Sequence, residues 1–133
     1  MVNFKLNDKF TQAFTVTGEV YDGFIKLFKD TNQLHTDERF ANLYNFKGCV
    51  MHGNILNGFI SYFVGECLPI KNVIIHSQEI QFKQPVYLND KLIFEALVDG
   101  IYESVNAIEF KFSFKNNELK VVAKGKIQIG LLL

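Results

Sequence analysis

Three histidines stand in three different settings along this chain. His35 closes the polar stretch Asp30-Thr31-Asn32-Gln33-Leu34-His35, His52 precedes Gly53 at the head of an apolar run, and His76 falls inside an alternating segment. A carboxylate and an imidazole at the spacing of Asp30 and His35 converge if the intervening loop curls back. Together they can then hold and deprotonate one water molecule. Asn32 braces such a loop through side-chain hydrogen bonds to backbone. On spacing alone a second reading stands beside this one, in which Asp30 and Asn32 are ordinary loop residues. Gly53 offers different chemistry. A helix N-terminus presents free N–H groups and the positive end of the helix dipole. Glycine there lets a ligand approach the backbone, and a carbonyl oxygen seated on that N–H is polarised as in an oxyanion hole. The competing reading is a glycine that only begins a tightly packed helix. His52 is read as hydrogen-bonding the loop to the helix start, with a ligand or acid role as the alternative, and His76 as a packed or edge residue.

Other chemistries lack their residues. The histidines come without clustered carboxylates or cysteines, so no metal site is expected. Cys49 and Cys67 match no zinc spacing and are too few for a disulfide framework, which makes them free thiols of a reducing compartment. No glycine-rich phosphate loop and no Gly-x-Ser-x-Gly elbow is present.

The elements that must position these residues follow from periodicity. Residues 10–17 form a first strand. Thr17 caps a helix reaching about Phe28, with Glu19 in its first turn and an apolar face of Val20, Phe24, Leu27 and Phe28. Lys29 to Thr36 is a loop, and a short helix covers Asp37–Leu43. From Gly53 to Cys67 the apolar residues surround the helix axis, the pattern of a buried helix, which Pro69 ends. The period then becomes two. Strands are expected over Val73 to Phe82, with a bend at Pro85; over Lys91–Val98, closed by an Asp99-Gly100 turn; from Ile108 to Phe114; and, after an Asn116-Asn117 turn, from Leu119 to Ile129. One apolar helix followed by antiparallel strands is an α+β pattern, and wrapping the sheet around the helix buries it most simply. That is the hot-dog arrangement, expected here as a single domain over residues 1–133 with no repeat or linker.

Composition narrows the partners. The 14 Lys plus Arg balance 14 Asp plus Glu, so no strong field is available for a nucleic-acid backbone. Near-neutrality points to an oligomer that buries part of its surface. No stretch approaches the roughly 18 apolar residues of a membrane span, and no signal-peptide run opens the chain. A cytoplasmic protein is expected. Fourteen Phe with no Trp supply large apolar rings for the core or for an apolar channel.

Together these segments resemble the MaoC-like, (R)-specific 2-enoyl-CoA hydratases, a branch of the hot-dog dehydratases. The marks are Asp30-Thr31-Asn32-Gln33-Leu34-His35 followed by Ala41, the pair His52-Gly53 opening the central helix, and the series Gln78, Phe82, Pro85, Val86 and Asp90. They occur in register over roughly residues 10–130. Phe28-Lys29 replaces a small residue and Gly, and Gln33 replaces Pro. The resemblance implies that Asp30 and His35 bind and activate water and that the Gly53 N–H receives the thioester oxygen. Asn32, His52 and Ser61 join them as substrate-binding residues. It implies at least a homodimer, with no metal and no redox cofactor required. The expected reaction is hydration of a trans-2-enoyl thioester of coenzyme A, or its reverse. The alternatives are a dehydratase acting on an acyl-carrier-protein substrate and a non-catalytic hot-dog dimer that binds acyl thioesters. A thioesterase is disfavoured by the Asp-x-Asn-x-x-His loop.

Overall fold

The structure is a computed structural model that describes residues 3–133. Strand β1 (Lys9–Thr15) leads into helix α1 (Gly18–Phe28). Thr17 caps α1 as expected, its Oγ1 accepting from the Val20 N–H at 3.2 Å. Two short helices follow, α2 (Gln33–Thr36) and α3 (Glu38–Leu43), and then α4 (Asn54–Tyr62), which continues into a wide π-helical turn over Phe63–Cys67. The remaining strands are β2 (Val73–Phe82), β3 (Lys91–Tyr102), β4 (Ala107–Lys115) and β5 (Val121–Leu131). They form one sheet in the order β1-β3-β4-β5-β2, every neighbouring pair antiparallel.

Alternation explains the layering. Leu92, Phe94, Ala96 and Val98 of β3 and Ile108, Phe110, Phe112 and Phe114 of β4 all point to one buried face. The α4 residues Ile55, Leu56 and Ile60, with Phe63 and Val64 beyond, pack on that face. Phe63 is the hub, its ring 4.8 Å from Phe94, 5.7 Å from Phe110 and 5.8 Å from Phe10. The expected hot-dog arrangement, a helix held by an antiparallel sheet, is therefore present.

Five local expectations are corrected. The loop from Lys29 to Thr36 contains the one-turn helix α2, because the Asn32 side chain accepts from the Leu34 N–H at 2.9 Å and starts it. Asp99-Gly100 is not a turn. It is a bulge inside β3, where the register with β4 shifts between Val98 and Gly100, and the chain reverses through Glu103–Val105 and the left-handed Asn106. Leu119 belongs to the β4–β5 turn, with φ of 61°, and β5 begins at Val121. Helix α4 is not covered all round, since Asn54, Gly58, Ser61 and Tyr62 are exposed. On α1, Val20, Tyr21 and Phe24 pack against the core while Leu27 and Phe28 remain 73% and 69% exposed. His76 is the extra residue of a bulge in β2, an edge strand, and is exposed. Cys49 and Cys67 are half-buried free thiols whose pKa burial pushes upward.

Candidate active site

The segment from Lys29 to His35 is held by its own side chains. Lys29 ends α1 in the left-handed conformation, φ 60°, with its N–H on the Ile25 carbonyl at 2.8 Å. The chain turns there, and Asp30 Oδ1 accepts from the Asn32 N–H at 3.1 Å. Asn32 caps α2, and the Thr36 hydroxyl reaches back to the carbonyls of Thr31 and Asn32 at 3.1 and 3.2 Å. These bonds curl the segment, so that Asp30 and His35 face each other as the spacing allows.

The separation between Asp30 Oδ2 and His35 Nε2 is 3.8 Å. That is too long for a hydrogen bond, and short enough for one water to touch both. His35 Nδ1 lies 2.8 Å from the Val50 carbonyl oxygen. A carbonyl only accepts, so Nδ1 carries the hydrogen, and in the neutral ring the lone pair is on Nε2, the atom facing Asp30. The His35 side chain is 17% exposed and that of Asp30 49%. The imidazole is thus sheltered and the carboxylate open.

His52 supports both. It is buried, and its Nε2–H donates to the Asp30 backbone carbonyl at 2.8 Å. Its ring stacks on His35 with centroids 3.9 Å apart and planes 30° from parallel, and Phe24 covers it at 4.6 Å. The expected link between loop and helix start is present, now with a second contact, the ring stack. One carboxylate oxygen of Asp30 and one ring nitrogen each of His35 and His52 lie within 4.8 Å of one another. The set nevertheless does not fit a metal ion. In-plane lone pairs of rings stacked this closely run nearly side by side and do not meet at the roughly 2.0–2.1 Å of a zinc–nitrogen bond.

Gly53 begins α4 beside these groups and, being the N-cap, adds no side-chain cap of its own. A side chain at this position would collide with the Phe82 ring, 2.9 Å from where a Cβ would stand. The glycine therefore serves packing here, letting the Phe82 ring lie against the helix start. Asp30, His35, His52 and Gly53 all line one cleft of about 490 Å³, walled by Phe24, Phe46, Met51, Phe82 and Val86. Asp30 also opens onto an apolar groove of about 1030 Å³ between α1 and α4, lined by Leu27, Phe28 and Phe59 among others. Ser61 lies on the exposed side of α4, lines neither cavity and is not brought to the pair.

Sequence reasoning missed several members of this site. Tyr21 donates its hydroxyl to the His35 carbonyl at 2.5 Å. Its pKa stands above the ordinary tyrosine value because burial disfavours the phenolate, with Cys49 and Asp22 adding to the effect. The signal for Tyr21 was its place beside Phe24 on the inner face of α1. The Val50 carbonyl, which sets the His35 tautomer, gives no sequence signal, because any residue has one. Phe82 reads as a strand residue, and only the three-dimensional structure puts its ring over Gly53.

A family model described as MaoC like domain matches residues 6–118. The (R)-specific enoyl-CoA hydratase of Rhodospirillum rubrum is 33% identical over 88 residues, which are 66% of this chain and 61% of that protein. The mitochondrial 3-hydroxyacyl-(acyl-carrier-protein) dehydratase FERN of Solanum lycopersicum is 30% identical over 111 residues, 84% of this chain and 66% of that protein. The chain thus spans about three fifths to two thirds of the length of these curated relatives. A solved structure, the (R)-hydratase from A. caviae involved in PHA biosynthesis, shares the fold with a TM-score of 0.88 over 96% of this chain and 97% of that one, at 24% identity. With the matched residues running from the start of β1 past the end of β4, the chain belongs to the family that carries the MaoC-like domain.

Proposed function

We propose that this protein is a hydro-lyase that adds water to trans-2-enoyl thioesters, giving the (R)-3-hydroxyacyl product, and catalyses the reverse dehydration. The observation that carries this reading is the pair Asp30 and His35, with 3.8 Å between the facing oxygen and nitrogen and the His35 tautomer set by the Val50 carbonyl. One water held between them loses a proton to the pair as its oxygen attacks C3 of the enoyl group, and the pair returns a proton to C2. Atoms balance: hydroxyl on C3, hydrogen on C2, nothing left over. The Gly53 N–H receives the thioester oxygen and stabilises the negative charge that builds there during attack. Asn32 and His52 shape the site from outside the reacting atoms. The names of the bacterial and plant relatives support the two carriers, coenzyme A and acyl carrier protein.

The functional unit we propose is a homodimer. Strands β1 and β2 are open sheet edges, and the uncovered face of α4 carries Gly58, Ser61 and Tyr62. A second copy on that face would bring Ser61 into covered surroundings. We place the protein in the cytoplasm on its two free thiols; no described helix is long and apolar enough to cross a membrane.

The reading is tested by following hydration of crotonyl-CoA as loss of the conjugated enoyl-thioester absorbance, with chiral analysis of the product. The (R)-alcohol is expected. Absence of turnover with every short or medium enoyl thioester, on either carrier, from a folded protein would overturn it.

A further inference from the structure

Among the described residues, His52 Nδ1 is the one buried side-chain nitrogen or oxygen with no hydrogen-bond partner. The residue that carries it is 3% exposed. Its other ring nitrogen is engaged. The Asp30 carbonyl, 2.8 Å away, can only accept, so Nε2 carries the hydrogen and the lone pair of the neutral ring lies on Nδ1. His35 has the opposite pattern, with its hydrogen on Nδ1 toward the Val50 carbonyl and its lone pair on Nε2 toward Asp30. Two imidazoles in contact are thus opposite tautomers, and only His35 turns a lone pair toward the Asp30 carboxylate.

The contact between the rings is face to face, with centroids 3.9 Å apart and planes 30° from parallel. Phe24 and Tyr21 of α1 close on the His52 ring at 4.6 and 5.9 Å. When His35 takes a proton from the attacking water, the charge that forms on it lies against a neutral aromatic face, which attracts a cation. A proton on His52 as well would meet two obstacles. The new Nδ1–H would be a buried donor without an acceptor, and two imidazolium rings this close repel each other. Tyr21, His35 and Asp30 are the ionisable groups set against His52, and none of them offers Nδ1 a hydrogen bond.

We infer that His52 is a positioning residue for proton transfer: its ring face holds the charge that forms on His35, and its unpartnered Nδ1 keeps that charge from moving to a second ring. The inference rests on the hydratase reading for the reaction itself. It goes beyond the tie between loop and helix start, which needs only the Nε2–H. A glutamine would supply such a donor. Histidine adds an aromatic face in the same side chain.

Two measurements test it. The first is nitrogen-15 NMR of the histidine rings in the resting wild type at the pH of the assay. It needs no turnover, so its result stands apart from the reaction assignment. His52 should carry its hydrogen on Nε2 alone and His35 on Nδ1 alone. A hydrogen on His52 Nδ1, or on both of its nitrogens, overturns the proposal even if hydration is confirmed. The second is hydration of crotonyl-CoA in light and heavy water by His52→Gln, which keeps a donor for the Asp30 carbonyl, and by His52→Phe, which keeps the aromatic face. His52→Gln should lose about tenfold in kcat, the scale of a lost cation–ring contact, with KM close to wild type. Its solvent isotope effect should rise, because proton transfer becomes the slower step. His52→Phe should keep most of kcat and instead lower the denaturation midpoint, because the Asp30 carbonyl loses its donor. Wild-type kcat and isotope effect in His52→Gln, or an equal loss of kcat in both variants, overturns the proposal and leaves His52 as a structural tie.

Discussion

At the level of single residues, the site depends on hydrogen bonds that fix which atom of His35 is free. The Val50 carbonyl holds Nδ1, Tyr21 holds the His35 backbone carbonyl, and His52 holds that of Asp30. Replacing Tyr21 with Phe removes one such bond and should cost about 1 kcal/mol of stability. The pH dependence follows from the direction of the Tyr21 shift. A phenol whose folded pKa is raised binds its proton more tightly in the folded state. Its contribution is fully present below the ordinary tyrosine value and is lost as pH rises through the higher folded value. Denaturant titrations from neutral pH to alkaline conditions should therefore show stability falling at the alkaline end in the wild type, and a shallower fall in Tyr21→Phe. Equal slopes would contradict the assignment. That Asp30, His35, His52 and Gly53 gather at one cleft was legible through their order in the family marks, whereas Ser61, expected with them, lies on the exposed side of α4. Tyr21 and the Val50 carbonyl were not legible, since a half-buried tyrosine on a helix's inner face reads as core and a backbone atom has no letter.

Among the elements, the α1–α2 connection shows where this chain departs from its family. Lys29 adopts φ 60° where the resemblance expects glycine, and Gln33 occupies the first position of α2 where it expects proline. A side chain in the left-handed region costs roughly 1 kcal/mol. Proline fits a first helical position because that N–H has no intrahelical partner, and the extended Asn32 before it, φ −50° and ψ 137°, is compatible with a following proline. Lys29→Gly and Gln33→Pro should thus each raise stability by about 0.4–1 kcal/mol, read as a rise in denaturation midpoint. A drop in either would show that the native residue makes a compensating contact. The elements with clean periodicity, α1, α3, β2 and β4, were legible to within a residue or two. The bulge at Asp99 was not, because Asp-Gly is also a hairpin signal and only pairing with β4 decides between them.

Over the molecule as a whole, stability is concentrated in the phenylalanine cluster that joins α4 to the sheet. Phe63 is fully buried and its ring meets Phe10, Phe94 and Phe110. Truncation to Ala should cost about 3–5 kcal/mol. An exposed ring such as Tyr102 should cost far less on truncation. Similar losses at both positions, by chemical denaturation, would contradict this placement of the core. The alternation of Phe110, Phe112 and Phe114 made the sheet's inner face legible. The open side of α4 was not, because Gly58, Ser61 and Tyr62 sit among apolar neighbours in a pattern that looks buried all round, and only packing shows which side the sheet covers.

The proposed reaction needs a water held between Asp30 and His35, and hydration of crotonyl-CoA by Asp30→Asn and His35→Ala beside the wild type tests this most directly. Asparagine keeps an oxygen for the Asn32 N–H and so preserves the loop, while removing the carboxylate that faces His35. Each variant should remain folded, by circular dichroism and melting temperature, and lose about 10²–10⁴-fold in kcat. Wild-type turnover that survives in both folded variants would contradict the central claim.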